Sequence, residues 1–269
     1  MQLTTGIIFV FIFVAIFLFL FYGSERKVKA FVLPDHYRDI LQQHVHFYNH
    51  LYNADKREFE ERMRRFLSTV RITGIKTVVE DIDLVFIAAS AIIPIFGFKN
   101  WEYTNLYEVL VYPNAFDEEF KIQGGELPYG GMVGWGSMQN QMIISQQDLR
   151  EGFIHPVHNR NTGIHEFVHL IDKGDGATDG LPENIIDKQY IVPWLRLMQK
   201  GIKDIAEGRS EINPYGATNE AEFFAVVSEY FFNNPGHLKH KHPELFALLE
   251  QIFRQQPGTS YYKEPIAID

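Results

Sequence analysis

Two histidines stand four residues apart in the stretch 162–176, "TGIHEFVHLIDKGDG", with a glutamate directly after the first. On an α-helix, positions i and i+4 lie one turn apart on one face, so His165 and His169 can point at a single metal ion. Glu166 is too close in sequence to be a third ligand on that face. It can reach a water already held by the ion, which is where a general base must sit. The pattern therefore asks for zinc and for a reaction with water. The flanking Ile164, Phe167, Val168, Leu170 and Ile171 make this a buried helix, in which an imidazole with no partner is costly.

A zinc peptidase site needs a third protein ligand beside an open position. The metzincin pattern would place glycine at 172 and histidine at 175, where this chain has Asp172 and Asp175. Asp175 remains a possible oxygen ligand. The segment 219–232, "NEAEFFAVVSEYFF", offers Glu220, Glu222 and Glu229 among apolar Phe223, Phe224, Val226 and Val227, so an inward carboxylate there must be paired or bound. Glu222 and Glu229 are seven apart and share a face, which makes one a ligand candidate and the other a candidate to orient an imidazole. Asp172 and Asp179 could fill that orienting role as well.

Around these residues the chain has 269 residues, 46% of them hydrophobic, enough to bury a sizeable core. The net charge of -9 excludes non-specific nucleic-acid binding, which depends on clustered Lys and Arg. With no cysteine, a metal site must be built from His, Asp, Glu and water.

Residues 6–22, "GIIFVFIFVAIFLFLFY", carry no charged side chain and read as a transmembrane helix. No Lys or Arg precedes the run and no small-x-small site follows it, which opposes cleavage as a signal peptide. Arg26, Lys27 and Lys29 follow directly, so the positive-inside tendency puts the body in the cytoplasm, anchored at the bacterial cytoplasmic membrane. An outward-facing peptidase is the rival topology. The run 84–98 is too short to span and is interrupted by Pro94, and it reads as a buried core helix.

Helical spacing predicts helices over 35–51 and 54–70. Lys56, Arg57, Arg62, Arg64 and Arg65 there read as a solvated face, with contact to anionic lipid as the alternative. Residues 106–113 and 141–149 read as strands, separated by the glycine-rich 123–136. From Pro182 onward the chain is mostly helical. The expected organisation is an anchor over 1–23, a helical juxtamembrane region over 24–75 and a catalytic domain over 76–269.

The stretches "GIHEFVHLIDKGDGATDGLP", "YGATNEAEFFAVVSEYFF" and "YEVLVYPNAF" resemble the MtfA family of bacterial zinc-dependent peptidases, over about 76–257. The resemblance implies an α+β, zincin-like metallopeptidase domain, similar to the catalytic domain of anthrax lethal factor, with an HExxH helix and a small sheet. It implies zinc held by His165, His169 and Glu222, which chooses Glu222 over Asp175. It also implies Glu166 as general base and Tyr215, seven residues before Glu222, as a donor to the oxyanion. The substrate would be a peptide or protein. The family's known member sequesters a transcriptional repressor, so a tethered regulatory binding protein with little peptidase activity is the alternative. The repressor itself is not carried over, because an anchor here replaces a soluble start.

Overall fold

Apolar residues spaced every three to four positions alternate with short β-branched runs, and the chain folds accordingly into helices packed around a small sheet. The computed structural model describes residues 31–115, 131–134, 140–155 and 160–258. The expected membrane helix, 6–22, lies outside these. Among the described residues no helix is long and apolar enough to cross a membrane.

Helices α1 (His36–His44), α2 (His46–Asn49) and α3 (Asn53–Thr69) open the described chain. The single helix expected over 35–51 is broken at Val45, which takes an extended backbone and is buried. The break turns Phe47 and Tyr48 onto Phe59 of α3, with ring centroids 5.9 and 5.8 Å away. Strand β1 (Arg71–Gly74) follows, then α4 (Asp81–Ile95), the core helix expected from the 84–98 run. A capping box between Glu80 and Asp83 starts α4, and buried Asp83 is also held by Arg150 and Gln146.

Strands β2 (Glu108–Tyr112), β3 (Gly131–Val133) and β4 (Gln141–Ser145) complete a sheet of order β1-β2-β4-β3. The first three in that order run parallel, and β3 pairs antiparallel with β4, Gly131 opposite Ile144. The strand expected over 141–149 stops at Ser145, whose hydroxyl accepts from the Asp148 amide and caps α5 (Gln146–Ile154). Next come α6 (Thr162–Asp172) with a short 3-10 extension (Lys173–Asp175), α7 (Lys188–Ala206), a 3-10 turn (Pro214–Ala217), α8 (Glu220–Asn233), α9 (Pro235–Lys241) and α10 (Pro243–Phe253).

Helix α6 lies close against α4: a Cβ on Gly163 would sit 2.1 Å from the Ser90 hydroxyl. Helix α8 packs on the other helices through rings, with Phe224 against Trp194 and Phe231 against Phe253. Phe47 of α2 reaches Phe232 of α8, so residues 31–75, set apart from 76–269 in the sequence reading, share the core of the body. Arg62, expected on a solvated or lipid-facing surface, is instead buried and donates to the carbonyls of Ile95 and Phe96 at the end of α4. Arg38 and Arg64 form pairs with Glu60 and Glu61, each at 2.7 Å.

Candidate metal centre

Helix α6 begins at Asn161, whose side-chain oxygen accepts from the Ile164 amide at 3.0 Å. The cap sets the helical phase, so His165 and His169 emerge one turn apart with their Nε2 atoms 3.0 Å from each other. Helix α8 begins in the same way, Asn219 accepting from the Glu222 amide at 2.9 Å. That places the Glu222 carboxylate against α6: its Oε2 is 3.0 Å from His165 Nε2 and 3.4 Å from His169 Nε2. The three donor atoms lie within 4.8 Å of one another.

Glu229, two turns further along α8, accepts from both ends of this arrangement. Its Oε1 is 2.6 Å from His165 Nδ1, and its Oε2 accepts from the Asn161 amide at 2.6 Å. A carboxylate at Nδ1 favours the proton there, so Nε2, the nitrogen that faces His169 and Glu222, would be the one to ligate a metal ion. Two imidazoles and one carboxylate converging on a point, with a further carboxylate behind, is the donor chemistry of a three-ligand metal site with an open position.

Electrostatics agree with this crowding. Burial alone would depress the His165 pKa, but hydrogen bonds to Glu222 and Glu229 outweigh it and hold it well above the usual histidine range. Burial would raise Glu222, yet the bonds from His165 and His169 keep it well below the ordinary carboxylate range. Glu166 is buried and makes no such bond among the described residues; burial lifts its carboxyl, opposed by His165 and His169.

His165, Glu166, His169 and Glu222 line one cleft of about 290 Å³, together with Gly131, Met132 and Val133 of β3, Lys173, Thr178, Asn219, Ala221 and Tyr215. Tyr215 stands on the 3-10 turn, where Asn213 accepts from its amide at 3.0 Å, and its ring centroid is 6.0 Å from that of His165. A Cβ on Gly131 would lie 2.5 Å from the Glu166 carboxylate, so the glycine leaves room for the acid.

Asp175 does not join the donor group. It is exposed and accepts from the amides of Ala177 and Glu183, which bends the chain after α6. Of the acids left open for orienting an imidazole, Glu229 makes the contact, Asp179 accepts from the Leu181 amide, and Asp172 accepts from the Gly180 amide. Glu220 is exposed at the start of α8. Sequence reasoning missed Lys173, Thr178 and the caps Asn161 and Asn219. Only the caps had a local signal, asparagine directly before an apolar periodic run.

A family model described as glucose-regulated metallo-peptidase M90 matches residues 22–254. The uncharacterized protein slr2042 of Synechocystis sp. is 29% identical over 253 residues, 87% of this chain and 88% of that protein. Mlc titration factor A of Pectobacterium atrosepticum is 30% identical over 161 residues, 56% of this chain and 60% of that protein. Mlc titration factor A of Salmonella arizonae is 29% identical over 207 residues, 72% and 81% of the two chains.

Proposed function

We propose that this chain, which belongs to the glucose-regulated metallo-peptidase M90 family, is a zincin-like, zinc-dependent peptidase held at the bacterial cytoplasmic membrane by residues 6–22. The family implies a metal ion, and the observation that carries the assignment to one site is the convergence of His165, His169 and Glu222 within 4.8 Å. Bound there, zinc would supply Lewis acidity, acidifying water and polarising a carbonyl.

The chain's own residues supply the rest. Glu166, with its carboxyl raised by burial, takes a proton from the attacking water and returns it to the leaving amine. Tyr215 donates to the oxyanion that forms. Glu229 fixes the His165 tautomer. Strand β3, which among the described strands pairs only with β4, offers an edge along which an extended peptide can add as a further strand. Arg26, Lys27 and Lys29 after the apolar run support a cytoplasmic body.

The relatives named Mlc titration factor A support a second reading, a regulatory protein that binds a protein partner through the same body. One comparison separates the two. Metal content and peptide hydrolysis are measured for wild type, Glu222→Ala and Glu166→Gln. Near-stoichiometric zinc that falls in Glu222→Ala, with hydrolysis lost in both variants, is the expected result. Zinc without hydrolysis in wild type would favour the regulatory reading. Full activity in Glu222→Ala would remove Glu222 from the site.

A further inference from the structure

The two imidazoles of the centre are not served alike. His165 Nδ1 lies 2.6 Å from Glu229 Oε1, whereas the Nδ1 of His169 is buried and has no hydrogen-bond partner among the described residues. A histidine that gives Nε2 to a metal ion carries its proton on Nδ1 and nearly always donates it to a carboxylate, a carbonyl or water. Left in a buried place without an acceptor, that N–H would weaken the ligand.

Two further buried atoms beside α6 have no partner among the described residues: Asp172 Oδ1 and Thr178 Oγ1. Asp172 follows His169 by three residues, so their Cβ atoms share a helical face about 5–6 Å apart. A helical side chain leans back over the preceding turn, which here is the turn that bears His169. The Asp172 side chain is completely buried, and its other oxygen accepts from the Gly180 amide at 2.9 Å. Thr178 stands two residues before Gly180, no more than about 7 Å along the chain, and lines the same cleft as His169. Burial raises the Asp172 carboxyl and the His169 ring is among the groups that draw it back down, so ring and carboxylate share one electrostatic neighbourhood. The hydrogen-bonding capacities match: a ring N–H gives, a carboxylate oxygen takes, and a hydroxyl does one of each.

We propose that Thr178 and Asp172 form a relay behind the second histidine: when His169 ligates the metal, its Nδ1–H donates to the Thr178 hydroxyl, which donates to Asp172 Oδ1. Both are positioning residues, acting on the metal through His169 as Glu229 acts through His165. The three atoms are not bonded to one another in the structure, and short side-chain rotations complete the chain. The relay rests on the metal reading of the site and is independent of whether the protein cleaves peptides.

The test measures zinc affinity by competition with a chromophoric chelator, and the melting temperature of the metal-free protein, on the full chain in detergent. Thr178→Val keeps the β-branched shape and removes the hydroxyl, and Asp172→Asn has a single accepting oxygen that cannot serve both Gly180 and Thr178. Each should weaken zinc binding by about tenfold or more without lowering the metal-free melting temperature. Thr178→Ser should restore affinity to near wild type. Because both residues act through one hydrogen-bonded chain, the double variant should lose no more than the larger single loss. Unchanged affinity in either single variant overturns the relay and leaves the zinc site standing, as do additive losses or losses that track the melting temperature. A wild type that takes up no zinc overturns the relay together with the metal reading. The expected losses in a protein that binds zinc and cleaves nothing would support the relay and sink only the peptidase reading.

Discussion

Glu229 serves two donors with one carboxylate: the Nδ1 of His165 and the amide of Asn161, the residue that caps the motif helix. Glutamine has one accepting oxygen and an amino group in place of the other, so it cannot accept from both donors. Glu229→Gln should therefore weaken metal binding by about 10- to 100-fold, read by competition with a chromophoric chelator. The position of Glu229 also makes a second outcome necessary, since the Asn161 amide loses its acceptor. The metal-free Glu229→Ala protein should melt lower, by the equivalent of about 1–3 kcal/mol, and an unchanged melting curve would remove the capping role. Gly131 is constrained for a different reason. A methyl group there meets the Glu166 carboxylate, the flexible end of a side chain, so the cost should fall on the acid's position rather than on the fold. Gly131→Ala is expected to lower kcat by tenfold or more, on the order of what displacing a catalytic acid or base costs, while thermal stability stays near wild type.

Between elements, Gly180 ties three helices together. Its amide donates to buried Asp172 at the end of α6, its carbonyl accepts from Trp194 of α7 at 2.7 Å, and its φ of +74° brings it against the backbone of Glu220 at the start of α8. A Cβ would lie 2.3 Å from the Glu220 carbonyl oxygen, a backbone atom that cannot swing aside. Gly180→Ala should therefore destabilise the protein by at least about 1–3 kcal/mol and loosen metal binding, because α8 carries Glu222. Asp172 adds a pH dependence. Burial raises its carboxyl from 3.8 to about 6, opposed by the Gly180 amide. The folded protein holds that proton more tightly than the unfolded chain, so this group's contribution to stability falls as pH rises through that window and stays low above it. The metal-free Asp172→Asn variant should gain melting temperature relative to wild type between about pH 4 and 6, by up to about 3 kcal/mol in stability. A difference that is constant across that range would show that Asp172 does not titrate there.

For the whole molecule, the helices before 76 and those after it share one core, from Tyr37 and Phe59 through Phe86 to Phe231 and Phe253. A fragment beginning at Ser24 should therefore fold with the full helical signal and melt in one step, whereas a fragment beginning at Lys76 should aggregate, as size-exclusion chromatography and circular dichroism would reveal. A reporter fused at the C-terminus should be active in the cytoplasm, and an active periplasmic reporter would reverse the topology. Much of the centre was legible in the sequence because its information is local: i and i+4 share a helical face whatever the helix packs on, so His165, Glu166 and His169 announce themselves. The apolar run inside α4 and the β-branched run of β2 were legible on the same terms. Single-residue spacing could not decide between Asp175 and Glu222, since Glu222 lies 57 residues from His165 and meets it only through the packing of α8 on α6. The strands β1 and β3 are too short to carry a period, and Arg62 looked like any surface cation until the end of α4 was seen to need its hydrogens. The sequence by itself determined which residues were candidates to bind metal and move a proton. Only tertiary structure decided which carboxylate turns toward the imidazoles and which amide or lysine shares the cleft, because those contacts join segments whose distance along the chain says nothing of their distance in space.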